Sequence, residues 1–275
     1  MKNINNTSKL ICLLLLFVSV FSATCYANEY KPCNVSDREL MLLSYIAYSN
    51  EQKEDITEMT NTRLSIKPFC DYASLSELEG WKNVDSSHIS MSLYDNDGFS
   101  ALCYKKDNNV VIAFRGTDSN IFLENMSYLI PYNDHVQAKH AAKYIDFVAS
   151  SNFIDKNTKI YLCGHSLGGY LAMYATPYVL VNNVLKDGFV KTVTFNGLNI
   201  GRTSNIFVVN ILKSLSTSQI VKYRIRGDII SSMSKSYNPQ TTLPLPYWYI
   251  DLIPKKMRCK LGNHSISYFF PLIKS

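Results

Sequence analysis

The segment from Gly164 to Gly169, with the sequence GHSLGG, places one serine between a short apolar run and a long one. Ile160 to Cys163 have the length and composition of a buried strand, and Leu167 to Val181 are long enough for a buried helix. Glycines two residues to either side of Ser166 fit a sharp strand-to-helix turn, because glycine lets the strand and the helix approach without a side-chain clash. A bare G-x-S-x-G pattern also occurs by chance, so its place between these elements carries the argument. The segment predicts a nucleophile elbow with Ser166 at its apex.

Strands and helices alternate along the rest of the chain. A capping box, Ser36 to Glu39, opens the first predicted helix. The predicted strands are Ile89 to Tyr94, Phe99 to Lys105, Val110 to Phe114, Ile160 to Cys163, Val190 to Phe195 and Val221 to Ile225. The predicted helices are Leu40 to Tyr48, Val136 to Val148, Leu167 to Val181 and Ile206 to Leu215. This order predicts an α/β fold in which helices cover both faces of a mostly parallel central sheet.

The first residues have the pattern of a signal peptide. Lys2 and Lys9 precede an apolar run from Leu10 to Phe21, which is too short to cross a bilayer as a helix. We expect cleavage after Ala27, so that residues 1–27 are removed and the protein is secreted or periplasmic. Lipidation of Cys25 is the alternative.

Residues 28–275 are expected to form one catalytic domain, since this length is ample for a single α/β core. The formal net charge of +6 includes two lysines of the leader and is too mild to indicate a nucleic-acid partner. No later segment is long and apolar enough to span a membrane. No C-x-x-C or His-x-x-x-His spacing occurs, so neither a metal nor another cofactor is expected.

Five cysteines follow the leader, and an oxidising compartment would permit two disulfides with one thiol left over. They are Cys33, Cys70, Cys103, Cys163 and Cys259. Because Cys163 lies in an apolar strand, we expect it to be the buried unpaired thiol.

A serine hydroxyl near neutral pH is a poor nucleophile and needs a base, normally a histidine that a buried carboxylate orients. In α/β-hydrolase topology the order along the chain is serine, acid, histidine. His264 is the one histidine after Ser166 and is predicted to be the base. Asp228 directly follows a predicted strand, at the carboxyl end where open α/β sheets place their sites. It is the predicted acid, with Asp251 as the alternative, whereas Asp187 precedes a strand.

Four blocks of the chain resemble the lipase class 3 family, which includes fungal triacylglycerol lipases and related bacterial hydrolases. They are Ile112 to Thr117, the GHSLGG segment, Thr194 to Gly197, and Asp228 followed by His264. The resemblance covers roughly Phe99 to Tyr268 and implies the α/β-hydrolase fold. A sequon at Asn263, where a glycan would obstruct the base, favours a bacterial secreted member.

The resemblance also implies an oxyanion hole in which Thr117 contributes one donor and the backbone N–H of Leu167 the second. Such donors are needed because negative charge develops on the former carbonyl oxygen of the substrate. The fungal enzymes carry a lid helix where this chain has Asp118 to Ile130, and Ile121 to Ile130 are apolar enough to form a short one. Leu243 to Ile253 are predicted to form an apolar loop that packs on the core, lines an acyl pocket or touches a membrane.

The expected function is therefore a secreted serine hydrolase that cleaves carboxylic ester bonds of lipids, of the triacylglycerol lipase or phospholipase A type. Its expected partner is a lipid or ester substrate, met in solution or at a membrane or lipid interface. The alternatives are a small-ester esterase, a thioesterase or a serine peptidase on the same triad, and a lipid-binding pseudoenzyme.

Overall fold

The computed structural model describes residues 35–49, 54–56, 72–87, 98–117, 136–200, 205–228, 230–232, 238–244 and 264–274. The strands within these ranges are β1 (Lys82–Ser86), β2 (Ala101–Lys106), β3 (Asn109–Phe114), β4 (Lys159–His165), β5 (Phe189–Phe195), β6 (Ile220–Ile225) and β7 (Thr241–Leu243). The helices are α1 (Asp37–Ile46), α2 (Val136–Ala149), α3 (Leu167–Val181) and α4 (Ile206–Ser214). Short 3-10 helices lie at Leu75–Leu78, Lys186–Gly188, Ile230–Ser232 and Ile266–Phe269.

The strands form one seven-stranded sheet in the order in which they occur along the chain. β1, β2 and β3 are antiparallel neighbours, and β3 to β7 are parallel. Right-handed crossovers that always advance in one direction place their helices on the same face of the sheet. Accordingly α2, α3 and α4 pack on one face, while α1 and the 3-10 helix Ile266–Phe269 cover the other. The predicted α/β-hydrolase fold, a mostly parallel sheet flanked by helices on both faces, is confirmed.

The central strands are buried on both faces, which explains their nearly continuous apolar sequences. In β3, Val110 and Ile112 belong to the core under α2 and α3, whereas Val111 and Ala113 belong to the core under α1. α3 is apolar around its circumference, and Tyr178 and Val181 are its two residues that are not buried. It therefore packs in the interior with Ser166 at its first turn. No helix in the described ranges is long and apolar enough to cross a membrane.

The predicted helices and the strands from β2 to β6 are confirmed, with bounds that differ by at most three residues. The capping box is present: Ser36 Oγ accepts from the Glu39 N–H at 3.1 Å, and Glu39 Oε2 accepts from the Ser36 N–H at 2.9 Å. β1 and β7 were not predicted, because their sequences KNVDS and TTL are largely polar. The predicted strand Ile89 to Tyr94 and the signal peptide lie outside the described residues.

The two cysteines within the described ranges are free thiols. Cys103 in β2 and Cys163 in β4 are buried, and the prediction of a buried unpaired thiol at Cys163 is confirmed. Cys103 is free as well, so the two disulfides that the cysteine count would permit do not both form. Cys33, Cys70 and Cys259 lie outside the described residues.

Candidate active site

Ser166 occupies the turn between β4 and α3, with φ 58° and ψ −125°. A residue other than glycine rarely adopts a positive φ. Holding its backbone there costs about 1–3 kcal/mol, which the surrounding structure must offset. The Ser166 N–H donates to the Phe195 carbonyl of the neighbouring strand at 3.1 Å. A Cβ atom on Gly164 would overlap the carbonyl of Gly168, and one on Gly168 would overlap the carbonyl of Phe114. Gly164 is therefore required by the close approach of β4 and α3, and Gly168 by the close approach of α3 to the end of β3.

The three predicted triad side chains are joined by hydrogen bonds at the carboxyl edge of the parallel strands. Ser166 Oγ lies 2.7 Å from His264 Nε2, and His264 Nδ1 lies 2.8 Å from Asp228 Oδ1. For the serine to donate its proton, Nε2 must be unprotonated, and Nδ1 then donates to the carboxylate. Their exposed fractions are 2%, 9% and 3% for Ser166, His264 and Asp228. The triad is thus assembled in a nearly dry environment.

Asp228 is held as an anion by two donors. Its Oδ1 accepts from His264, and its Oδ2 accepts from the Ser231 N–H at 2.8 Å. Burial raises the pKa of Asp228, but its interaction with His264 and the hydrogen bond from Ser231 outweigh burial and bring the pKa below its ordinary value. The ionised carboxylate can orient the imidazole and stabilise the imidazolium that would form during a reaction.

The two predicted oxyanion donors are Thr117, which follows Gly116, and the N–H of Leu167, which follows Ser166. Gly116 lies against Ser166, since a Cβ atom on it would be 3.2 Å from Ser166 Cβ. The next residue, Thr117, has a buried Oγ1 with no hydrogen-bond partner within the described residues. The Leu167 N–H opens α3, where the first-turn amides have no acceptor inside the helix. Unused donors on both sides of a buried serine are what a developing oxyanion requires.

His140 and Asp187, a histidine and an aspartate outside the predicted triad, have other surroundings. His140 is buried in α2, with its ring edge-on to Phe99 at 5.8 Å. Asp187 lies in the 3-10 helix before β5, at the amino ends of the parallel strands, whereas Ser166 lies at their carboxyl ends. Other predicted features outside the described residues are the alternative acid Asp251, the lid Ile121 to Ile130, and the loop Leu243 to Ile253 beyond residue 244. The described residues contain no cluster of three His, Cys, Asp or Glu side chains that could hold a metal ion.

Sequence analysis missed a second layer of polar residues behind the triad. His165 Nε2 lies 2.6 Å from the His264 carbonyl oxygen, and His165 Nδ1 lies 2.9 Å from the Tyr48 hydroxyl. Asn196 Nδ2 donates to the same His264 carbonyl at 3.2 Å. Burial and the neighbouring His264 lower the pKa of His165 to about 3, so its imidazole is neutral. His165 belongs to the GHSLGG segment and Asn196 to the block Thr194 to Gly197, but no local signal marks Tyr48.

Comparisons with known proteins find one family model and several solved structures that match part of the chain. A family model described as Mbeg1-like matches residues 77–203, which include Ser166 but neither Asp228 nor His264. None of the curated proteins compared with the chain matches it.

The chain is also similar to solved structures. The Lip2 lipase of Yarrowia lipolytica shares 15% identity over 76% of this chain and 77% of its own, with a TM-score of 0.47. Lipase II of Rhizopus niveus shares 15% over 71% and 74%, with a TM-score of 0.45. A mutant form of MDLA from Penicillium cyclopium shares 14% over 78% and 83%, with a TM-score of 0.49.

Proposed function

We propose that the protein is a serine hydrolase that cleaves carboxylic ester bonds of lipids. The observation that carries the proposal is the continuous hydrogen-bonded chain from Ser166 through His264 to Asp228, buried at a strand-to-helix turn. The strained backbone of Ser166 and the unpartnered Thr117 hydroxyl support the same chemistry. A purely structural role would not explain the combination of these features, since a strained backbone such as that of Ser166 persists where function requires it.

The geometry supports acyl transfer in two stages. In the first, Ser166 Oγ forms a bond to the ester carbonyl carbon while its proton passes to His264 Nε2. The negative charge moves to the former carbonyl oxygen, where Thr117 and the Leu167 N–H would donate to it. The carbon–oxygen bond to the alcohol then breaks, and the alcohol leaves with the proton from His264. In the second stage His264 takes a proton from water, and the water oxygen forms a bond to the acyl carbon. The bond between that carbon and Ser166 Oγ then breaks, His264 returns the proton to Oγ, and the carboxylic acid is released.

The lipid part of the proposal rests on two apolar stretches of the sequence. In the sequence, Ile121 to Ile130 follow β3, and Leu243 to Ile253 lie between the proposed acid and base. An acyl chain gains about 0.8 kcal/mol for each methylene it buries, so a pocket lined by such residues would favour long chains over acetate. The proposal includes export through the leader 1–27, which would bring the enzyme to extracellular or periplasmic lipid.

Lipid-product analysis tests this function, with phospholipid vesicles and a triacylglycerol emulsion offered side by side. We expect free fatty acid from at least one of them, and its complete loss in Ser166→Ala. Ser44→Ala is the matched control, because the Ser44 hydroxyl is equally buried but donates to the Leu40 carbonyl within α1. Hydrolysis of acetate esters or amides with no release from either lipid would replace the lipid reading by an esterase or a peptidase.

A further inference from the structure

The proposed base is held by its backbone as well as by Asp228. We propose that Tyr48 and His165 are positioning residues that fix the backbone of His264, and so set the place of its imidazole against Ser166. This inference rests on the proposed function, in which His264 is the general base. It makes the end of α1, which precedes the residues 77–203 matched by the family model, part of the catalytic apparatus.

The direction of each hydrogen bond follows from the chemistry of the groups. The carbonyl oxygen of His264 can only accept, so the proton of the neutral His165 ring must be on Nε2. Nδ1 of His165 is then an acceptor, and it takes the hydroxyl proton of Tyr48 at 2.9 Å. Tyr48 therefore selects the one tautomer of His165 that can bind the His264 carbonyl.

The same carbonyl receives a second donor from the next strand. Asn196 follows β5 with a φ of 45°, and its Nδ2 donates to the His264 carbonyl. Its Oδ1 accepts from the Ile225 N–H at 2.8 Å, which ties Asn196 to β6 just before Asp228. The His165 and His264 rings lie 4.8 Å apart with 38° between their planes. Both the backbone and the ring of His264 are thus held by residues of the elbow and its neighbouring strands.

The Tyr48 hydroxyl also contacts the strand end that leads to the proposed oxyanion donor. A Cβ atom on Gly116 would overlap this hydroxyl and would be 2.6 Å from the His165 carbonyl oxygen. Gly116 immediately precedes Thr117. One hydroxyl therefore lies between the segment that carries the oxyanion donor and the histidine that holds the base, and its loss should disturb catalysis more than folding.

Tyr48→Phe is the direct test, since it removes this hydroxyl and little else. Misplacing a catalytic group by a fraction of an ångström to 1 Å costs up to about a hundredfold in rate, so we expect kcat to fall roughly tenfold to a hundredfold with KM unchanged. Tyr104→Phe is the matched control: the Tyr104 hydroxyl is buried in the same core, with no hydrogen-bond partner within the described residues. Its removal should leave kcat unchanged.

A double-mutant cycle tests whether Tyr48 acts through His165. His165→Gln keeps one donor and one acceptor at the end of the side chain, and we expect it to lose less activity than His165→Leu. If the two residues act as one unit, Tyr48→Phe combined with His165→Leu should be no slower than His165→Leu alone. If the rate losses of the two single variants multiply in the double variant, the proposal that Tyr48 acts through His165 is overturned.

The position of His264 can be measured without any substrate. The Nδ1–H proton of His264, hydrogen-bonded to Asp228, should give a downfield proton NMR resonance in the wild type and in Tyr104→Phe. In Tyr48→Phe we expect the resonance to shift or to broaden. An unchanged resonance together with unchanged kcat would overturn the inference. If the wild type hydrolyses no ester, the function fails but the resonance still decides whether Tyr48 positions His264.

Discussion

Acid should destabilise the protein through His165. The pKa of the buried imidazole is lowered from 6.5 to about 3, chiefly by burial and then by the neighbouring His264. Between pH 3 and pH 6.5 the unfolded chain binds a proton at His165 that the folded protein does not. The stability that the neutral His165 contributes is therefore fully present above pH 6.5 and is lost as the pH falls towards 3. Each pH unit well inside that window costs about 1.4 kcal/mol. From pH 7 to pH 5, His165 alone should lower the free energy of unfolding by about 2 kcal/mol.

The measurement is urea unfolding followed by intrinsic fluorescence, under reducing conditions, at pH 7 and at pH 5. His165→Gln is the comparison variant, because glutamine keeps polar groups at this position but does not titrate. Other ionisable groups contribute equally to both proteins, so the decrease in free energy should be about 2 kcal/mol smaller in the variant. Equal decreases in the two proteins would refute the assignment of His165 as a buried neutral histidine.

Three further predictions concern the oxyanion hole, the N-terminal region and export. Thr117→Val should lower kcat by about a hundredfold or more with little change in stability, measured by ester turnover and thermal unfolding, because one oxyanion donor is worth that much; wild-type turnover would remove Thr117 from the site. Arg38→Met should lower the free energy of unfolding by about 3 kcal/mol, since Arg38 pairs with Glu77 and donates to the Phe270 and Ile273 carbonyls at 2.7 Å; a loss below 1 kcal/mol in urea unfolding would contradict this. N-terminal sequencing of protein recovered outside the cytoplasm should begin at Asn28, and an intact Met1 would contradict export through the leader.

The sequence predicted the sheet and its helices where the apolar pattern is dense. α3 was predicted with its observed bounds, because an apolar run of that length next to a strand and two glycines admits few alternatives. β1 was missed because an edge strand has few buried positions and no continuous apolar run. In β1 only Ser86 is buried, and its remaining residues are partly or fully exposed.

The candidate triad could be predicted from the chain order, because a motif marks Ser166 and few acids or histidines follow it in the sequence. Asp228 follows a strand, and His264 is the one histidine after Ser166. The positioning layer could not be predicted in this way. Tyr48 and His165 are 117 residues apart in sequence, and their contact arises only when α1 packs across the sheet under the elbow. An isolated tyrosine at the end of an amphipathic helix has the pattern of a core residue.

The central claim is that Ser166 is a nucleophile activated by His264 and Asp228. It is tested most directly by intact-mass and peptide mass spectrometry of the protein after reaction with a fluorophosphonate. We expect one covalent adduct on Ser166, formed orders of magnitude more slowly in His264→Ala and in Asp228→Asn. An unmodified Ser166, or labelling at the same rate in His264→Ala, would contradict it.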